Sequence, residues 1–282
     1  MRYRFLRYPE GKFKAVTLSY DDGVKQDKRL VEVLDKYGMK CTFNVTSYSA
    51  TNGNGVSIAE LKESIAKGHE IAIHGATHAA LGNLRPIDGI KEVLECRRIL
   101  EQELSMIIRG YAYADSGIGK MVNGASYEDI RHYLSDLDIA YARAISGDND
   151  RFHMPTDWYA WMPTAHHTNP SIMKYIEKFL SIDVDKCYCG ERHPRLFYIW
   201  GHSFEFNNND NWELLDEICA ALAGKEDTWY ATNMEIYNYS KAYESLSWSV
   251  DNKRVYNPSL ITVWFDIDGK LYSIKSGETL EI

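Results

Sequence analysis

The 282 residues, 45% hydrophobic and 26% charged, suit one large globular domain or a domain with an appendage. A net charge of −8 argues against nucleic acid or an anionic membrane surface as the main partner. No apolar run approaches the ~20 residues of a membrane helix, so no membrane span is expected.

The opening segment, MRYRFLRYPEGKFK, is basic but has no apolar core, so no secretory signal is read and a cytoplasmic location is expected. The odd set of scattered cysteines (Cys41, Cys96, Cys187, Cys189 and Cys219) fits reduced thiols better than a disulfide framework. Strand-like runs follow at residues 15–19, 40–45, 70–74, 107–113, 139–144, 196–200 and 228–231, and many of the segments between them have 3.6-residue periodicity. In DKRLVEVLDKYG, an apolar stripe of Leu30, Val31, Val33, Leu34 and Tyr37 closes on Gly38. Ser57 with Glu60, and later Thr232 with Glu235, have the spacing of a capping box. This rhythm predicts a mainly parallel sheet with right-handed crossovers, an α/β fold closed or nearly closed into a β/α barrel. Catalytic groups then belong at the C-terminal ends of the strands. Residues 1–242 are assigned to the barrel. Residues 243–282, with alternating patterns and an Asp268-Gly269 turn, are assigned to a small β appendage.

The first strand, in AVTLSYDDGV, ends on two adjacent acids, Asp21 and Asp22. Neighbouring carboxylates repel unless a cation or a shared proton offsets the cost. An ordinary Asx-type loop helped by Gly23 is the competing reading. The third strand ends in HEIAIHGATH, with His74 at its end and His78 four residues on. If both strand ends open on one barrel face, Asp22, His74 and His78 make an open three-ligand site, the pattern of a catalytic metal. Asp21 is then left to take a proton from water. The loop CYCGERH (Cys187, Cys189, His193) lacks a fourth ligand at ordinary zinc spacing and is the weaker metal candidate. With 20 Tyr and 7 Trp the chain also has more aromatic surface than a core needs. Flat rings suit sugars, and an aromatic-rich core is the alternative.

With these segments the chain resembles the polysaccharide deacetylases of carbohydrate esterase family 4, the NodB-homology group. That family's TFDDG motif is matched by LSYDDG, and its H-[S/T]-x-x-H motif by HGATH at 74–78, where Gly75 replaces the hydroxyl residue. The resemblance spans residues 13–240. It implies a distorted seven-stranded β/α barrel, with Asp21 as general base and Asp22, His74 and His78 binding one divalent metal, zinc before cobalt, manganese or nickel. It also implies a late histidine as general acid, which FYIWGHSFEF supplies as His202, with Glu205 placed to orient it. The R-x-P-Y motif falls near IIRGYAYADSG, where Arg109 is a candidate partner of Asp21. Alignment on the aromatic core, with Tyr113, puts Ala112 at the arginine position instead. Backbone N–H groups near Tyr113 to Ser116 are expected to face an oxyanion. A Thr-Asp-Trp string in MPTDWYAWMPTAHHTNP resembles the D-x-x-D-W motif and makes Trp161, Pro163 and His167 candidate groove residues. The implied activity is metal-dependent removal of acetyl groups from N-acetylated sugars or oligosaccharides. An esterase, a small-molecule amidase and a non-catalytic carbohydrate-binding relic are the alternatives. A nucleotide-binding protein is disfavoured because no Gly-rich phosphate loop follows the first strand. The sequence does not fix an oligomeric state.

Overall fold

The computed structural model describes residues 3–145 and 150–282. After a short strand β1 (Arg4–Arg7) the chain enters β2 (Lys14–Asp22), whose residues are all buried except the last. Burial on both faces is what a parallel sheet covered by helices demands. The pattern then alternates: α1 (Asp27–Lys36), β3 (Cys41–Val45), α2 (Ser47–Thr51), α3 (Ile58–Ala66), β4 (Glu70–Ile73), α4 (Pro86–Leu104), β5 (Gly110–Ala112), α5 (Tyr127–Asp136), β6 (Tyr141–Arg143) and β7 (Ala165–His166). It continues with α6 (Ile172–Ser181), β8 (Arg195–Gly201), α7 (Ser203–Asn208), α8 (Trp212–Leu222), β9 (Thr228–Tyr230) and α9 (Asn233–Glu244). Both capping boxes read from the sequence are present, at the starts of α3 and α9.

The sheet runs β6-β5-β4-β3-β2-β8-β7 with every pair parallel, and β9 joins the lower half of β2. This curled parallel sheet with its helices is the expected distorted β/α barrel. One short segment closes it. Trp161 donates its N–H to Ala142 of β6 at 3.0 Å, and three residues later Thr164 donates to Tyr198 of β8 at 2.7 Å. The two-residue β7 that follows has no pattern long enough to read from sequence. Because all strands point the same way, Asp21, Asp22, Ala112, Arg143, His166 and Gly201 all lie at strand C-terminal ends on one rim.

The C-terminal residues add β10 (Ser247–Trp248), β11 (Arg254–Tyr256), β12 (Val263–Ile267), β13 (Lys270–Ile274) and β14 (Thr279–Glu281). They form two small antiparallel sheets, β1-β12-β13 and β10-β11-β14, and the β12–β13 hairpin turns at Asp268-Gly269 as expected. β1 comes from the other end of the chain, so the appendage is not built from residues 243–282 alone. Asp266 is buried between Arg7 (3.2 Å) and Arg192 (2.9 Å), a carboxylate clamp joining β1, β12 and the loop before β8. The Cys187–His193 loop gathers no metal-ligand trio among the described residues; His193 packs edge-on against Phe5. No described helix is long and apolar enough to cross a membrane.

Candidate active site

The end of β2 presents its two acids differently. Asp21 is buried inside the barrel, while Asp22 turns out of the strand with φ +80. His78 also has positive φ, +65. Left-handed backbone costs a side-chain-bearing residue about 1–2 kcal/mol, and here two such residues meet at one point. Asp22 Oδ1 lies 3.5 Å from His74 Nε2 and 3.2 Å from His78 Nε2. Four-coordinate zinc with bonds of about 2.0–2.2 Å places its donors roughly 3.3–3.5 Å apart, so this trio is spaced to share one ion.

The surroundings fit an ion as well. His74 donates its Nδ1–H to Ala112 O at 2.9 Å, which turns the Nε2 lone pair toward Asp22, the arrangement that orients metal-binding imidazoles. His74 Nε2 and Asp22 Oδ1 are buried with no hydrogen-bond partner, a costly state that a cation between them would relieve. The loop carrying both histidines is anchored by Glu92 of α4, which accepts N–H groups from Thr77 (2.6 Å) and Ala79 (3.2 Å) and the Thr77 hydroxyl at 3.1 Å. Gly75 is required there: its φ is +86 and a Cβ would meet Glu92 Oε1 at 2.8 Å. Glu92 thus holds the loop in the absence of a Ser or Thr at position 75.

Asp21 accepts from Asn44 Nδ2 at 2.8 Å and is paired through its other oxygen with Arg143 of β6. Burial would raise its pKa, but Arg143, His74, His202 and Asn44 outweigh this and hold the carboxyl below the usual range. It is therefore ionised at neutral pH. On the far side, His202 caps the start of α7. Burial opposes its protonation, yet Glu205 and the charges of Asp21 and Asp22 raise its pKa above the ordinary histidine value. A buried carboxylate, a cation-ready trio and an imidazole whose protonation its neighbours favour thus share one rim.

Residues 3–130 match the family model described as polysaccharide deacetylase. Over those residues, under half of its length, the chain is similar to the polysaccharide deacetylases. A protein described as a polysaccharide deacetylase from Mycobacterium smegmatis superposes with TM-score 0.58 at 17% identity, over 85% of this chain and 94% of that one. A family 4 acetyl xylan esterase from Clostridium thermocellum, in complex with cobalt, gives 0.51 at 16% identity, over 80% and 92%. A mutant of a family 4 pseudoenzyme with restored activity also gives 0.51 at 16%, over 83% and 70%. At such identities these likenesses show the fold. No curated protein is significantly similar in sequence.

Against the deacetylase motifs, the structure moves several expected residues. Arg109 is not the partner of Asp21: it precedes β5 and pairs with Asp138 at 2.7 Å on the surface. Ala112, at the motif's arginine position, lies opposite Arg143 in the β5–β6 register, so the neighbouring strand supplies the guanidinium. Trp161 is not a groove wall but a buried part of the barrel closure, packed against Tyr141, Trp158 and Tyr198. Tyr113 is buried too, its hydroxyl donating to Tyr159 O at 2.9 Å, and its own N–H is taken by Arg143 O rather than offered to an oxyanion. His167 is wholly buried, with its ring stacked on Phe206 and Tyr20. Gly201 is dictated by that ring, since a Cβ would lie 1.9 Å from His167 Nδ1. His166, which the sequence reading passed over, reaches Glu205 at 3.1 Å.

Asp27, at the start of α1, accepts from Ser203 at 2.5 Å, and burial pushes its pKa up to about 7. Its folded pKa exceeds the unfolded value of about 3.9, so the folded state binds the proton more tightly and loses stability as pH rises from 4 to 7. Urea unfolding of metal-free protein is expected to show a loss on the order of 3–4 kcal/mol between pH 4 and 8, absent in Asp27→Asn. Parallel pH profiles for the two proteins would show that Asp27 is not held protonated.

Proposed function

We propose that the chain is a metal-dependent hydrolase that removes acetyl groups from N-acetylated sugars or oligosaccharides. The observation that carries this reading is the convergence of Asp22, His74 and His78 beside a buried, ionised acid that is not one of the three. Those three residues would hold a divalent ion, zinc foremost. When bound, such an ion supplies Lewis acidity toward the acetyl carbonyl and favours ionisation of water. Asp21 takes the proton from the attacking water, and Arg143 keeps Asp21 charged until it does. His202 gives a proton to the departing amine nitrogen. Its raised pKa keeps it protonated nearer to neutral pH, which suits an acid for an amine leaving group. Asn44 fixes the orientation of the base.

Protein reconstituted with zinc or cobalt is expected to release acetate from N-acetylglucosamine oligomers. Release only from an O-acetylated sugar would make it an esterase, and release from neither with metal bound would overturn the reading. His202→Asn separates the bonds further. An amine needs a proton to leave more than an alkoxide does, so kcat should fall about 100-fold or more on the amide and by less on an O-acetyl ester. Equal losses on both would remove His202 from the acid role.

A further inference from the structure

A second group of ligand atoms stands on the same rim. Glu205 Oε2 lies 3.1 Å from His166 Nε2 and 3.4 Å from His202 Nδ1, and the ligand atoms of the three residues all lie within 4.8 Å of one another. A third imidazole nitrogen, His167 Nε2, sits 3.4 Å from the same oxygen. That oxygen already accepts the His202 backbone N–H at 3.1 Å, and one carboxylate oxygen lacks the lone pairs to serve three imidazoles as well. The unmet demand is visible. His202 Nδ1 and both ring nitrogens of the fully buried His167 have no hydrogen-bond partner among the described residues.

We propose that His166, His202 and Glu205 form a second divalent-cation site, separate from Asp22, His74 and His78, and suited to zinc or a similar transition ion. Two imidazoles and a carboxylate are the donor set such ions take. The spacings of 3.1 and 3.4 Å match those of the Asp22 trio. His166 can adopt the required tautomer. Donation of its Nδ1–H to Thr168 Oγ1 at 2.7 Å frees Nε2 for the ion, whereas accepting the longer Thr168 N–H contact at 3.2 Å would put the proton on Nε2.

The site has a consequence that rests on the proposed function. An ion on His202 competes with the proton that residue is to deliver, so filling this site slows hydrolysis. The test titrates EDTA-stripped full-length protein with zinc alone by calorimetry, and then counts bound metal after desalting. Wild type is expected to take two equivalents, and His166→Ala, Glu205→Gln and Asp22→Ala one each. In the first two variants the weaker site should lose at least tenfold in affinity. Circular dichroism and Tm identify any variant that has failed to fold, and the volume-conserving Glu205→Gln then decides. Wild type saturating at one equivalent that survives His166→Ala and Glu205→Gln would overturn the second site. A single equivalent lost in His166→Ala yet kept in Asp22→Ala would uphold it and sink the Asp-His-His reading instead. Excess zinc should inhibit wild type at least tenfold more than His166→Ala. Two bound ions without inhibition would support the site and count against His202 as the acid.

Discussion

Asp21→Asn is expected to lower turnover by about 100-fold to 10,000-fold, the range associated with loss of a general base, while binding as much metal as wild type. Asp22→Ala should lose activity together with one equivalent of metal. The two acids are adjacent in sequence, so only their geometry separates the predictions. Asp22 faces both imidazoles across 3.2 and 3.5 Å, whereas Asp21 is turned inward to Arg143 and Asn44, and its approach to His74 is 4.0 Å. Asparagine at position 21 keeps the side chain's volume and its acceptor for Asn44, but it cannot accept a proton at neutral pH. It also leaves Arg143 buried without its counter-charge, which costs about 3–5 kcal/mol where one partner of a buried pair is removed. Activity must therefore be read well below the variant's Tm. Metal lost in Asp21→Asn but kept in Asp22→Ala would reverse the two roles.

How legible each part was follows from the range over which its cause acts. The strands and the capped helices were readable because apolar period and cap spacing are local, and the rim location of Asp21, Asp22 and His74 followed once the strands were parallel. β7 was invisible because two residues carry no period, and His166 went unread with it. Arg109 misled because it is the arginine that falls near the expected R-x-P-Y motif, yet β5 begins only at Gly110 and leaves it at the surface. The signal that could have found Arg143 was present in IAYARAIS: a guanidinium within an apolar run demands a counter-charge once buried. Asp21 was the acid still needing one. Sequence could not show that β6 lies beside β5 with Arg143 opposite Ala112, because that register is set by long-range pairing. Glu92 was hidden for the same reason, since its use is to a loop 13 to 15 residues away.

Arg143→Met tests the other half of the buried Asp21–Arg143 pair and should be the most damaging substitution for the fold. Methionine fills much of the space, so the main change is a buried Asp21 carboxylate without its cation, at a cost of about 3–5 kcal/mol. In wild type Asp21's depressed pKa keeps it charged throughout this range, but without the guanidinium burial pushes the pKa up, so the variant's carboxyl takes up a proton as the solution is acidified. The gap in stability between wild type and Arg143→Met should accordingly narrow as the solution is acidified toward pH 4, and urea unfolding at pH 7 and pH 4 measures it. A gap of equal size at both would assign the loss to packing over Trp200, whose ring lies 4.8 Å from the guanidinium, rather than to charge. Arg143→Ala combined with Ala112→Arg adds a positional test. The two residues are register partners on adjacent parallel strands, so their side chains leave the sheet on the same face. Returning the guanidinium to β5, where the family motif carries it, should recover at least tenfold of the activity lost in Arg143→Ala. A folded double variant with no recovery would mean that Asp21 needs its cation from the β6 direction, where Arg143 also lends its carbonyl to the Tyr113 N–H at 2.9 Å and so ties the two strand ends together.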